Sequence, residues 1–256
     1  MIQIATPISH LFEDEAAARA IVDASDCLEC RERSIESEAP DQHLLHFDLN
    51  LVHPWDDETK TYVRRAISLK LEIKLISFHV ACNCDAPVLD GVMFQAGGRR
   101  YGRDEMLENA RVNAAWLREH LPDGTPIAIE NNNYYPTDAY EKVTEGAFLS
   151  EIANEIDSAF LLDIAHAKVT AHNTDTDLET YLESLPLDRT IQIHVCRPTI
   201  RDDGLAVDTH DALDEAGYAE IRELAERLNP RYVTLEYYKD AWELVEMLGV
   251  LRKALS

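Results

Sequence analysis

Short apolar runs rich in β-branched residues alternate along the chain with longer stretches whose apolar residues recur at helical spacing. Eight runs stand out, at 2–8, 27–32, 44–51, 75–80, 127–131, 160–165, 191–196 and 232–237. Helical spacing is clearest at 57–71, where Tyr62, Val63, Ala66 and Ile67 share a face. It recurs at 104–120, through Leu107, Ala110, Ala114 and Leu117. The stretches 220–228 and 241–251 read the same way, and Asp240 is placed to cap the last one. Strands alternating with helices predict parallel strands joined by crossover helices. Eight such units predict a single α/β domain over 1–256, a (β/α)8 TIM barrel. No glycine-rich phosphate loop follows any strand, which weakens the rival doubly wound sheet. The stretch 82–101, with Gly91, Gly97, Gly98, Arg99 and Arg100, is expected to be an extended loop over the barrel mouth and a candidate substrate lid.

Polar residues of the metal-binding kind recur at the ends of the predicted strands, where a barrel of this type builds its active site. They are His46, His79, Glu130, Asp163, His166, His194, Asp208, His210 and Glu236. One histidine at a strand end is more often simply buried and satisfied than a ligand; nine such groups are a different matter. Four carboxylates converging on one mouth repel unless cations lie between them. No Lys or Arg sits at a comparable strand position, Arg197 being the nearest, so divalent metals are the expected compensation. Asp208 and His210 are two residues apart, on one face of an extended segment, and can chelate one ion. Asp163 and His166 are three apart and would face opposite ways in a continued strand. His166 is therefore expected past the strand end, serving a different ion from Asp163. Imidazole and carboxylate donors with no obligatory thiolate suit iron, manganese or zinc.

Composition narrows the partners. Asp and Glu number 48 against 24 Lys and Arg, a formal net charge of −24. That opposes unassisted binding to nucleic acid or to an anionic membrane, because both need a cationic surface. No apolar run approaches the 18 residues of a transmembrane helix, and MIQIATPISH carries no basic segment of a signal peptide. Five cysteines, odd and sparse, fit a reducing cytoplasm better than a disulfide scaffold.

The order His, His, Glu, Asp-x-x-His, His, Asp-x-His, Glu resembles the trinuclear pattern of the endonuclease IV superfamily barrel, part of which xylose-isomerase-like sugar isomerases share. The stretches LHFDLNL, SFHVA, IENNNYY, FLLDIAHAKVTAHN, IQIHVCRP and GLAVDTHDAL are more specifically similar to the multinuclear non-haem iron-dependent oxidases of the methanobactin-biosynthesis type. The resemblance spans about residues 44–240 and is sharpest over 127–215. It implies an iron cluster that activates dioxygen and oxidises Cys or other residues of a ribosomally made peptide, with a separate protein presenting the peptide. Two or three divalent ions are implied, iron favoured over zinc or manganese. One would take His46, His79 and Glu130; a second Glu130 as a bridge, Asp163, His194 and Glu236; a third His166, Asp208 and His210. Glu130, Asp163 and Glu236 would be the catalytic carboxylates. The family usually has Asn where this chain has His166, which brings the site nearer to zinc. It usually has Asp where this chain has Tyr238, with Asp240 only a loose substitute.

A sugar isomerase or epimerase is the first rival, with Glu130 and Glu236 as an acid/base pair around one metal held by Asp163 and His194. A trinuclear zinc nuclease acting on abasic DNA is the second, opposed by the net charge. Asn131 is a candidate to orient Glu130 or to bind substrate. Arg99, Arg100 and Arg103 form a local basic cluster suited to an acidic peptide or carboxylate. His53 rivals His46 but lies further along the chain, and His10 is expected at the surface. Cys27 and Cys30 should point to opposite faces of a strand and pack in the core. Cys82 and Cys84 are expected to be loop residues.

Overall fold

The computed structural model describes residues 1–70 and 72–256. Among the described residues the chain forms twelve strands and eight helices, mostly in alternation. The strands are β1 (Gln3–Pro7), β2 (Cys27–Cys30), β3 (Gln42–Asn50), β4 (Leu75–His79), β5 (Val88–Asp90), β6 (Met93–Gln95), β7 (Ile127–Glu130), β8 (Ala159–Asp163), β9 (Thr190–Val195), β10 (Arg197–Ile200), β11 (Ala206–Asp211) and β12 (Tyr232–Leu235). The helices are α1 (Glu15–Ala24), α2 (Asp57–Leu69), α3 (Arg103–Arg118), α4 (Gly146–Glu155), α5 (Ile164–Asn173), α6 (Leu178–Ser184), α7 (Glu215–Leu228) and α8 (Ala241–Ala254). Eight strands close into a parallel barrel in the order β1-β12-β9-β8-β7-β4-β3-β2. Each of the eight apolar runs supplies one of them. The runs read as near-continuous apolar segments because a barrel strand is covered on both faces.

The remaining four strands form two antiparallel hairpins, β5–β6 and β10–β11. The first corrects the expectation of a plain loop at 82–101. Its root is tied down by Tyr101 N–H donating to Asn83 O at 2.7 Å, and its second strand by Phe94 N–H donating to the Tyr140 hydroxyl at 2.9 Å. The predicted reach of α2 to Leu71 falls outside the described residues. Helix α7 starts five residues before the predicted 220, where Asp214 caps it. Asp side chains cap α1, α2, α5, α6, α7 and α8, accepting from first-turn backbone N–H groups. Part of the acidity of the chain is therefore spent on helix starts, where a negative side chain also meets the positive end of the helix dipole.

One layer across the barrel interior is apolar and takes a residue from nearly every strand: Ala5, Cys27, Leu44, Leu75, Ala128, Leu161 and Tyr232, with Ile191 against them. Between barrel and helices, Phe47 stacks on Phe78 with centroids 5.3 Å apart, and both are fully buried. Each such ring contributes about 1.5–3 kcal/mol through burial. Moving up the strands the interior turns polar, through Ser77, Gln192 and Thr234, and then to ionisable residues. A solid apolar floor thus supports a polar cup.

Candidate metal centre

Strand register assembles the cup. In the β4–β7 pairing His79 stands beside Glu130, in β8–β9 Asp163 stands beside His194, and in β3–β4 His46 stands beside Ser77. Several donors are fixed by a second contact. His46 Nδ1 is 2.8 Å from the Ser77 hydroxyl, which leaves Nε2 facing the cup, 2.9 Å from His79 Nε2. Glu130 Oε2 lies 2.7 Å from His79 Nε2 and 3.6 Å from His46 Nε2. His194 Nε2 meets the buried Glu29 carboxylate at 2.9 Å, so Nδ1 faces inward. That Nδ1 is 3.1 Å from Glu130 Oε1 and 3.2 Å from Glu236 Oε1. His166 Nδ1 donates to Asn131 O at 2.8 Å, turning Nε2 toward Asp208 Oδ2 at 3.4 Å and Asp163 Oδ2 at 3.7 Å. His210 Nε2 is 3.3 Å from Asp208 Oδ2 and 3.2 Å from Glu236 Oε2.

All nine predicted residues therefore gather at one end of the barrel. His166 lies past the end of β8, as expected, and comes within reach of Asp163 rather than standing apart from it. Asp163 is the N-cap of α5 and the backbone turns helical at Ile164, which carries His166 back over it. The donors fall into groups within 4.8 Å that could hold an ion: His46, His79 and Glu130; Glu130, Asp163 and His166; Glu29, His194 and Glu236; Cys196, His210 and Glu236.

The donor chemistry fits cations. Glu130 Oε2, Asp163 Oδ2 and His194 Nδ1 are buried and have no aligned hydrogen-bond partner. Such groups cost free energy unless something else satisfies them. Three of them facing one cup match the lone pairs that a metal takes. Protonation is split sharply across the cup. Burial holds His46 well below the usual histidine range, with Arg31 adding to it. Burial also opposes charge on His166 and His194, but the carboxylates outweigh it: Asp163 and Asp208 lift His166 to about 10, and Glu29 and Glu130 lift His194 to about 9. Burial raises Asp163 to about 6, with Glu130 and Asp208 adding repulsion. Glu130 is held well below its ordinary value because His79 and His46 outweigh its burial.

Three site residues were missed in the sequence. Glu29, fully buried, receives His194, Gln192 and Arg31. Arg31, just past β2, pairs with Glu29 at 2.8 Å and with Glu236. It corrects the expectation that no basic residue stands at a strand end. The signal was a lone Glu in the short apolar run CLEC, followed two residues later by an Arg. Cys196, directly after β9, places its thiol 3.3 Å from Asp208 Oδ1, so the centre includes a sulfur that the reading of imidazole and carboxylate alone left out.

The other candidates lie elsewhere or act differently. Asn131 spends its amide on the backbone of Asp163, donating to its O and accepting from its N–H, both at 2.9 Å. Arg99 and Arg100 are exposed and paired with Glu105 and Asp138, and Arg103 with Glu151. His53 is bound to Cys82 O at 2.8 Å, and His10 is exposed beside a cavity of about 760 Å³ that Arg31 and Tyr238 also line. The Tyr238 ring packs edge-on against His210, centroids 5.0 Å apart. Asp240 accepts from Trp242 and Glu243 N–H groups and is committed to capping α8. Cys27 and Cys30 are buried on opposite sides of β2, as expected.

Barrel and cup together define a xylose-isomerase-like TIM barrel with a metal-type donor set at its mouth. Solved structures agree on the fold: D-psicose 3-epimerase from Clostridium cellulolyticum H10 is 12% identical with a TM-score of 0.61, the match covering 100% of both chains. L-ribulose 3-epimerase is 12% identical with a TM-score of 0.63, over 100% of this chain and 95% of that one. Residues 101–255 match the model of the RiPP precursor modification enzyme MbnB/TglH/ChrH, and the chain belongs to that enzyme family. Among curated relatives, a UPF0276 protein of Chromobacterium violaceum is 28% identical over 67% of this chain and 64% of its own length. One of Caulobacter vibrioides is 32% identical over 49% of this chain and 45% of its own. The chain thus spans less than two thirds of the length of these relatives. No described helix is long and apolar enough to cross a membrane.

Proposed function

We propose that this chain is a metal-dependent oxidase, using dioxygen, that modifies a ribosomally made precursor peptide at Cys or another residue. Residues 1–256 act as one domain, in the cytoplasm, with a separate protein presenting the peptide and with neither nucleic acid nor membrane as partner. The observation that carries this reading is the set of buried, unmatched donors at the centre, Glu130 Oε2, Asp163 Oδ2 and His194 Nδ1. Membership of a family that modifies precursor peptides supports the substrate class.

The residues assigned to the ions are those of the resemblance: His46, His79 and Glu130; Glu130, Asp163, His194 and Glu236; His166, Asp208 and His210. Iron is favoured, with zinc or manganese the alternatives. Bound, the ions supply redox capacity and Lewis acidity. The chain supplies position. Ser77 and Asn131 O select the ring tautomers of His46 and His166, and Glu29 selects that of His194. Arg31 offsets the charge of Glu29 and Glu236 on the side facing the 760 Å³ cavity. Arg99 and Arg100 attract acidic segments of the peptide.

Anaerobic purification with metal analysis and Mössbauer spectroscopy tests the reading. Coupled irons, and oxygen uptake on adding precursor peptide, are expected. One ion per chain with sugar turnover would favour the isomerase, which leaves His46, Asp208 and His210 without a task. Three zinc ions with cleavage of abasic DNA would favour the nuclease. The double change Arg99→Ala, Arg100→Ala should weaken binding of an acidic peptide and leave metal content unchanged.

A further inference from the structure

Cys196 sits where β9 ends, 1% exposed, among the residues of the hairpin β10–β11 that carry Asp208 and His210. Its thiol faces Asp208 Oδ1 at 3.3 Å, while the other oxygen of the same carboxylate faces His210 Nε2 at 3.3 Å and His166 Nε2 at 3.4 Å. Sulfur, a His210 nitrogen and a Glu236 oxygen all lie within 4.8 Å of one another. Beside this group Asp163 Oδ2 is buried with no aligned partner, 3.7 Å from His166 Nε2. All five cysteines are free, and among the described residues Cys196 alone falls in such a donor group. Cys27 belongs to the apolar floor, Cys30 lies against Ser34 O, and Cys82 lies against Cys84 O.

We propose that Cys196 is a thiolate ligand of the third cation position, completing the donor set of His166, Asp208 and His210. This rests on the multinuclear reading above. Binding forms a metal–sulfur bond and breaks the S–H bond; the proton leaves to solvent, and nothing is oxidised or reduced. The third position is then chemically unlike the other two, which draw on nitrogen and oxygen only. A sulfur donor makes it softer and biases it toward zinc or a similar ion. The centre becomes a mixed one, with two positions of hard and borderline donors next to one that retains a thiophilic metal.

The test uses the metal-stripped full chain, titrated anaerobically with Co2+ to saturation and followed by absorption. A near-ultraviolet sulfur-to-cobalt charge-transfer band is expected for the unaltered protein. In Cys196→Ser the band is lost while the visible ligand-field bands of cobalt at the other positions persist. Zinc-loaded protein should show a Zn–S distance of about 2.3 Å by X-ray absorption; this needs no variant and decides the matter if the serine form fails to fold. Saturating cobalt without a sulfur band, or a band that survives Cys196→Ser, overturns the thiolate ligand and leaves the multinuclear reading standing. A chain that binds no cobalt overturns both.

Discussion

The strands before residue 100 and those after it feed the same cup by different means. The later strands send Glu130, Asp163, His194 and Glu236 straight from their ends, and a helix start and a hairpin add His166, Asp208 and His210. The earlier strands give fewer direct donors, His46 and His79, together with a buried ion pair, Glu29 and Arg31, that touches the later donors from outside. The family match falls on 101–255, the side rich in donors. The lesson is one of emphasis: most of the metal-type donors come from the later side, whereas the buried charge pair that orients His194 and balances Glu236 comes from the earlier one.

The largest expected effect comes from the donor-rich side. His194→Ala and Asp208→Ala should each lose at least one ion per chain, read by metal analysis after desalting, with the circular dichroism of the barrel retained. A variant that keeps full occupancy removes its residue from the centre. On the other side, Arg31→Met leaves Glu29 and Glu236 buried without their cation. Breaking a buried pair this way costs about 3–5 kcal/mol. Urea unfolding of the metal-free protein should show that loss, and metal loading should recover part of it. An equal loss with and without metal would mean that Arg31 serves the fold alone. Glu29→Gln keeps the size and alters the acceptor of His194 Nε2, so metal affinity should fall about 10–100-fold, as for other ligand-orienting carboxylates. Unchanged affinity would separate the two sides altogether.

The smallest effect is a pH dependence with a definite sign. In the metal-free protein His166 and His194 titrate near 10 and 9, above the ordinary 6.5. Their pairing with carboxylates stabilises the fold fully below about 6.5, and the contribution fades as pH rises through 9 and 10. Metal must displace the same protons, so its affinity should climb from pH 6 to 9, by about tenfold per unit for each proton released. Titration in buffers of different ionisation enthalpy measures that number. Affinity that falls with pH over this range would contradict the assigned protonation.

The barrel was legible because each strand is covered on both faces and reads as an unbroken apolar run. The hairpins were not: Val88–Asp90 and Met93–Gln95 are short, largely exposed and flanked by glycines, which in sequence looks like loop. The nine donors were legible as polar residues interrupting or ending apolar runs. Glu29 and Arg31 were passed over because a four-residue strand gives little pattern against which a buried charge stands out. The facing of Asp163 and His166 depends on where β8 stops and α5 begins, and a residue that can both end a strand and cap a helix leaves that point open. His210 adopts a left-handed backbone, φ 46°, which no spacing rule foretells.

The hairpin β10–β11 stands apart from the barrel sheet and is anchored to α5 near its turn, where Asn173 holds both backbone groups of Ala206 at 2.9 and 3.0 Å and His172 meets Gly204 O at 2.9 Å, and near its base by Lys239 on Asp211. Asp208 and His210 ride on that arm, while His166 and Glu236 belong to the barrel, so any ion shared between them acts as a clasp. Filling the clasp would slow amide exchange along 206–211, and draining it would leave the arm to its protein contacts alone, at Asn173, His172 and Lys239. The ease with which the arm lifts would then set how readily the cup opens to a long, threaded chain.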